Sequence, residues 1–140
     1  MRAVRRVAFV LPSLKFGGAE RVAINLAHAF KARGIEVDFL LMSFQGQFLS
    51  EAIREFRVID LRCKRTWMLP LKLAAYLLQS KPDALISSFW KLNLCACLAR
   101  TFSPNIKLAL WEHCPPAAES PVWLYAVSAS LLYQLSTCVI

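Results

Sequence analysis

The sequence predicts an α/β protein with a doubly wound, mainly parallel sheet. Short apolar runs recur along the chain, segments of helical periodicity separate them, and Gly, Pro or Asp marks the turns between. Strands this apolar are expected where helices cover both faces of a parallel sheet. At 140 residues, 57% of them hydrophobic, the chain suits one domain with an ample core.

The elements follow in order. Val4 to Leu11 reads as the first strand. Met1-Arg2-Ala3-Val4-Arg5-Arg6 opens like a signal peptide, but the apolar run is short and stops at Pro12 without a small-residue cleavage site. Ala19 to Arg33 is helical in pattern, and Gly34 stands where a helix C-cap belongs. Ile35 to Met42 is a second strand, Ser43 to Gln47 a loop, and Leu49 to Phe56 a small amphipathic helix. Arg57 to Leu61 makes a third strand, Leu69 to Gln79 a helix, and Lys81-Pro82-Asp83 a turn into the strand Ala84 to Ser87. Leu92 to Arg100 is helical and Ile106 to Trp111 is the fifth strand.

The uncharged stretch from Pro121 to Ile140 has two readings. As one helix it is about long enough to cross a bilayer, in the manner of a small membrane-anchored protein. Alternatively it splits into a helix from Val122 to Leu135, carrying Ser128, Ser130 and Gln134, and a strand from Thr137 to Ile140. The split is preferred, because the polar residues are too frequent for lipid and the strand continues the upstream pattern. The class is therefore α/β, doubly wound and Rossmann-like. Ligands of such sheets bind at the carboxyl ends of the strands, which singles out the loops after Leu11, Met42, Ser87 and Trp111.

Charge and cysteines narrow the function. The net charge is +8, although mean hydropathy is +0.45. Every Lys and Arg lies at or before Lys107, leaving only Glu112 and Glu119 beyond it. A basic body attracts nucleic acid, phosphorylated small molecules or an anionic membrane. No zinc-finger spacing, RNP-like aromatic motif or dense basic run beyond Arg62-Cys63-Lys64-Arg65 supports nucleic acid, and none is expected as a partner. Cys63, Cys95, Cys97, Cys114 and Cys138 form an odd set without a C-x-x-C pair or a histidine at zinc-ligand spacing. They read as reduced thiols in a cytoplasmic protein, with Cys95 and Cys97 in the core and Cys114, beside a histidine, as the one candidate reactive thiol.

The adjacent glycines Gly17 and Gly18 stand where the first strand gives way to the first helix. Glycine lets backbone N–H groups approach an anion, and the first helical turn adds unpaired donors and partial positive charge. Paired glycines after a strand also make simple tight turns, so spacing alone leaves turn and ligand loop both open. The dinucleotide fingerprint G-x-G-x-x-G and the P-loop G-x-x-x-x-G-K-[ST] are absent.

After the two glycines come Ala19-Glu20-Arg21-Val22 and then Asn25-Leu26-Ala27. This run resembles the N-terminal, acceptor-side domain of the GT-B glycosyltransferases of the large retaining family 4, whose first loop ends in Gly-Gly-Ala-Glu. Pro82-Asp83-Ala84-Leu85-Ile86-Ser87 is similar to the family's "PD-[VI]-I-x-[ST]" strand, and Trp90-Lys91-Leu92-Asn93 to the polar loop after it. Trp111-Glu112-His113-Cys114-Pro115-Pro116 resembles the loop bearing the family's active-site histidine. The order and spacing of these pieces cover nearly the whole chain.

The resemblance implies a role for several residues. Gly17 and Gly18 would face the phosphates of a nucleotide-sugar or an anionic acceptor, while Glu20 suits a first-turn carboxylate stabilised by the helix dipole. His113 would lie near the reacting sugar, with Glu112 setting its tautomer; a structural, partly buried histidine is the alternative. Ser87, Ser88, Lys91 and Asn93 would line the acceptor side, or else form a solvated loop and helix cap. His28 shares a polar face with Arg21 and Asn25 and is given no role.

The implied chemistry is transfer of a glycosyl unit from a nucleotide-sugar to a sugar or lipid-linked acceptor, with retention, for a cell-envelope polysaccharide. It takes no metal and no cofactor. GT-B enzymes place most donor contacts in a second, C-terminal Rossmann domain. The chain is therefore expected to be an N-terminal fragment or truncated product, truncated within its last strands and inactive alone. An alternative is a non-catalytic acceptor- or membrane-binding subunit of a split glycosyltransferase, meeting the cytoplasmic face of the membrane and a separate donor-binding protein.

Overall fold

A computed structural model describes residues 3–111 and the strand backbone at 138–139. The strands are β1 (Arg6–Leu11), β2 (Glu36–Leu41), β3 (Arg57–Asp60), β4 (Ala84–Ser88), β5 (Lys107–Trp111) and β6 (Cys138–Val139). The helices are α1 (Gly18–Ala32), α2 (Leu49–Glu55), α3 (Leu69–Ser80) and α4 (Trp90–Arg100), with a 3-10 turn at Thr66–Met68 leading into α3. Among the described residues the strands form one sheet in the order β3-β2-β1-β4-β5-β6, and every neighbouring pair is parallel. The order reverses direction between β1 and β4, the kind of switch point where a doubly wound sheet opens a crevice.

Alternation along the central strands builds two cores. Val7, Phe9 and Leu11 with Val37, Phe39 and Leu41 face α1 and α2, where Ala23, Ile24, Ala27 and Ala52 meet them. Ala8, Val10, Leu40, Leu85 and Leu108 face the other way, against Leu69, Leu73 and Leu77 of α3 and Ala96 and Ala99 of α4. Small residues on α1 allow close approach to the sheet, and Phe9 and Phe39 stack there with ring centroids 5.3 Å apart. Gly34 follows α1 with φ +75°, and the Ile35 N–H returns to the Phe30 carbonyl at 3.0 Å, closing the helix end.

The predicted elements are present with shifted ends. The first strand joins the sheet at Arg6 rather than Val4, and just ahead of it the Arg5 N–H goes to Asp83 Oδ2 at 2.8 Å. The fourth helix starts at Trp90, so Trp90-Lys91-Leu92-Asn93 is a first helical turn and not the polar loop read from the sequence. The Asn93 N–H closes that turn on the Phe89 carbonyl at 2.9 Å. The split reading of the last segment gains its strand, since Cys138 and Val139 pair with Ala109 and Leu110. Its helix, Val122 to Leu135, lies outside the described residues.

Candidate functional site

The carboxyl ends of β1 and β4, adjacent in the sheet, position the candidate site. The loop after β1 is fixed by Leu14, which is fully buried. Its N–H donates to the Gln45 carbonyl at 2.9 Å and its own carbonyl accepts from the Phe48 N–H at 3.0 Å. Gly46 makes this crossing possible. Its φ is +129°, and a Cβ there would overlap the Leu14 backbone. The Phe16 N–H adds a bond to Gln47 Oε1 at 2.7 Å, and Phe16 stacks on Phe48 with centroids 5.6 Å apart. The loops after β1 and β2 therefore act as one unit beneath the start of α1.

The two glycines of that start differ. Gly17 is the extended N-cap, and its carbonyl accepts the Arg21 N–H at 3.1 Å. The Glu20 carboxylate folds back into the space a Gly17 side chain would fill, so this helix terminus holds an anion of its own. Gly18 faces open space, with nothing within 4 Å of where a Cβ would stand.

At the end of β4 the chain turns through Phe89, whose φ of 74° and ψ of 134° is a backbone state that bulky residues rarely hold. Strain of this kind costs on the order of 1–3 kcal/mol and is concentrated at functional sites. The Phe89 N–H donates to the Trp111 carbonyl at 3.3 Å, and Asn93 Nδ2 approaches the same oxygen at 3.5 Å. The turn after β4 thus meets the end of β5 at that carbonyl. Ser87, Ser88 and Asn93 are buried, which places them under the surface of the domain, and Lys91 is exposed with its Nζ 5.7 Å from the Trp90 ring centre. Ser87 Oγ and Trp90 Nε1 are buried and have no hydrogen-bond partner among the described residues. Glu112, His113 and Cys114 lie outside the described residues.

Other polar groups are accounted for by the fold. His28 Nε2 sits 3.2 Å from Glu51 Oε1 and edge-on to Phe56, joining α1 to α2. A concave surface at the amino ends of β2 and β3 is lined by Arg6, Lys31, Arg57, Glu36, Glu55 and Asp38. Its charges satisfy one another: Arg6 Nε donates to Glu36 at 2.8 Å, Lys31 meets Glu55 at 2.9 Å and Arg57 meets Asp38 at 3.5 Å. Among the described residues no three His, Cys, Asp or Glu side chains form a metal-binding group, and no helix is long and apolar enough to cross a membrane. Cys63, Cys95 and Cys97 are free and buried. Burial pushes the Cys95 and Cys97 thiols up to about 11, keeping them protonated and unreactive.

Gly46, Phe89 and Trp90 were not singled out in the sequence as site-forming. Gly46 carried a signal, a glycine in a five-residue loop between strand and helix. Phe89 carried none, since its strain exists only once the helix and strand are placed.

Among solved structures the fold is similar to a glycosyltransferase from Rickettsia africae ESF-5, with 18% identity over 95% of this chain and 35% of that one, at a TM-score of 0.75. It is also similar to the lipopolysaccharide outer core galactosyltransferase WaaB, with 18% identity over 96% and 38% of the two chains and a TM-score of 0.66. MurG of Acinetobacter baumannii matches at 15% identity over 96% and 40%, with a TM-score of 0.65. The chain thus spans 35–40% of the length of these structures, and the likeness establishes the Rossmann-like half of a GT-B fold. No curated protein matches the sequence. The profile of Glycosyltransferase Family 4 aligns with residues 16–140, taking in the glycine turn and the strained elbow after β4, and the chain belongs to that family.

Proposed function

We propose that this chain is the acceptor-side domain of a glycosyltransferase that moves a sugar from a nucleotide-sugar to a sugar or lipid-linked acceptor, with retention of configuration. The observation that carries the reading is the pair of buried polar atoms without a partner among the described residues, Ser87 Oγ and Trp90 Nε1, beside the strained Phe89 turn at the switch point of a family 4 chain. Buried polar groups without partners are costly, and a hydroxyl-rich or anionic ligand supplies both donors and acceptors. In this reading the open Gly18 backbone and the Gly17 amide face donor phosphate or an anionic acceptor group, with Glu20 displaced or bridged. Lys91, on the exposed side of the same turn, adds the cation.

Transfer with retention builds negative charge on the departing diphosphate and positive charge at the anomeric carbon. Fixed amides, cations and polar groups aimed at those charges supply the catalysis, without a metal. His113 binds a hydroxyl of the reacting sugar or supports the developing cation, and Glu112 holds its tautomer. Ser88 and Asn93 shape the acceptor wall from beneath. Donor contacts come from a second Rossmann domain, on the same polypeptide or on a partner, so this domain alone does not turn over. The likeness to MurG and WaaB supports a place in cell-envelope polysaccharide synthesis at the cytoplasmic face of the membrane. The exposed basic and apolar surface of α3 favours peripheral membrane contact, which a non-catalytic, acceptor-binding subunit would share.

The indole N–H of Trp90 gives the test. Nuclear magnetic resonance titration of the labelled chain with nucleoside-diphosphate sugars and with polyprenyl-linked saccharides should shift the Trp90 Nε1–H and Gly18 amide signals. Ligand-induced shifts confined to the amino ends of the strands, or none with any member of the panel, would overturn the assignment.

A further inference from the structure

We infer that Phe16 is a stacking platform for a pyranose ring of the acceptor, with the Gln47 carboxamide as the hydrogen-bonding arm beside it. The platform rests on the acceptor-side reading of the domain and names what that side recognises, a pyranoside rather than an open-chain polyol. Phe16 is 80% exposed. Exposure alone says little, because single apolar residues stand on every protein surface. Phe16 differs in being held by both backbone and ring. Its N–H donates to Gln47 Oε1 at 2.7 Å, and its ring lies on Phe48 with 21° between the planes. Phe48 is itself fixed, by its N–H on the Leu14 carbonyl and by the Arg21 guanidinium 5.5 Å from its ring centre. A ring held in place beforehand loses little rotamer freedom when a ligand arrives. Phe48 takes one face of Phe16, and the other stands open.

The chemistry of that open face selects the ligand. An aromatic face carries partial negative charge, and a pyranose presents a run of C–H bonds, positive at hydrogen, on one side of its ring. Its hydroxyls then stand around the rim of the stack. Gln47 is exposed and meets that rim. Its Oε1 is engaged by Phe16, which leaves the Nε2–H groups as donors to a sugar hydroxyl. The support beneath is charge-neutral, since Arg21 is paired with Glu51 at 3.2 Å, and this suits an uncharged ring. Phe16 also stands two residues before Gly18, at the same edge of the sheet. A sugar stacked on it lies beside the open backbone where the functional reading puts phosphate or acceptor.

The full chain, labelled at its phenylalanine rings and glutamine side-chain amides, is titrated by nuclear magnetic resonance with methyl β-galactopyranoside, methyl β-glucopyranoside, glycerol and uridine. The glycosides are expected to shift the Phe16 ring and Gln47 Nε2–H signals, with saturation transfer from Phe16 to protons on one face of the sugar. Glycerol and uridine should leave those signals in place. Phe16→Leu should weaken glycoside binding by about three- to tenfold. Gln47→Glu keeps the acceptor for the Phe16 N–H but loses the donors, and should weaken it by a similar factor. Both positions are exposed, so both variants should keep the native urea midpoint, and Phe16→Trp, with its wider face, should bind at least as tightly as the parent. Glycoside shifts that Phe16→Leu and Gln47→Glu leave unchanged overturn the platform, as does silence at Phe16 with every sugar. If Trp90 and Gly18 still answer nucleotide-sugars in that case, the functional reading stands without it. A uridine response at Phe16 equal to that of the glycosides makes the ring a nucleobase platform and overturns the pyranose as occupant.

Discussion

Gly46 and Gly18, both at the carboxyl edge of the sheet, do different jobs. Gly46 is required by geometry, since its φ of +129° is foreign to other residues and a Cβ there would overlap the Leu14 backbone. Gly46→Ala must move one loop off the other, and a cost of about 2–3 kcal/mol is expected, read as a lowered urea midpoint. Gly18 has neither constraint. Gly18→Ala, in the first turn of α1, should leave stability unchanged or raise it by up to about 1 kcal/mol through reduced unfolded-state entropy and better helix propensity. If its open backbone serves a ligand, the same variant loses ligand-induced shifts at Trp90 while melting normally. A Gly18→Ala protein that is both stable and fully ligand-competent would return the glycine pair to a plain turn. The sequence drew attention to Gly17 and Gly18 because adjacent glycines are conspicuous. Nothing beside Gly46 in the sequence marks it as required, because its necessity comes from the Leu14 segment about thirty residues away.

Among the elements, α3 is tied to the sheet by a buried polar contact as well as by leucines. The Tyr76 hydroxyl donates to Asp38 Oδ2 at 2.6 Å, with Arg57 at 3.5 Å from the same oxygen. Tyr76→Phe keeps the ring and leaves the buried carboxylate short of a donor, at an expected cost of about 1–3 kcal/mol. Burial, reinforced by Asp38, pushes the Tyr76 hydroxyl far above its ordinary range, and burial holds the Cys95 and Cys97 thiols up at about 11. The folded state therefore keeps protons that the unfolded chain releases near pH 8.5–9 for cysteine and near pH 10 for tyrosine. Stability from these groups is fully present below about pH 8 and falls as pH rises through the following units. Thermal melts should be insensitive to these groups near neutrality and drop steeply above about pH 9. In Tyr76→Phe the part of the drop that begins near pH 10 should be missing; an unchanged alkaline profile would deny Tyr76 that role. Hydrophobic periodicity made every strand and helix here legible, because burial on one side imposes a repeat of two or about 3.6 residues. Element ends were not legible to the residue. They depend on single bonds such as Asn93 N–H to Phe89, and the strain at Phe89 is set by where α4 must lie.

On the scale of the whole molecule, a doubly wound sheet must hold its central strands together where the chain crosses from one half to the other. Asp83 does this at the amino end. Its Oδ2 accepts the N–H groups of Arg5 and Arg6 at 2.8 and 3.0 Å. Its backbone N–H donates to the Arg6 carbonyl at 2.9 Å, and its carbonyl accepts from the Lys107 N–H at 3.0 Å. One residue thus joins the starts of β1, β4 and β5, which are 77 residues apart for β1 and β4 and are brought together by no local turn. The Pro-Asp pair before β4 was recognisable in the sequence as a family-like signature, but its mechanical meaning needed the parallel register that sets Val7 opposite Ala84. Asp83→Ala removes the carboxylate and strands two backbone donors, so a loss of about 2–3 kcal/mol is expected. Asp83→Asn keeps an acceptor oxygen and should recover roughly half of it. Because the tie closes the switch point from below, hydrogen exchange in Asp83→Ala should quicken together in β1, β4 and β5 and leave the amides of α2 and β3 near their native rates. Quickening spread evenly over the sheet would mean that Asp83 contributes to general stability only, and that the junction of the two halves is held by the cores alone.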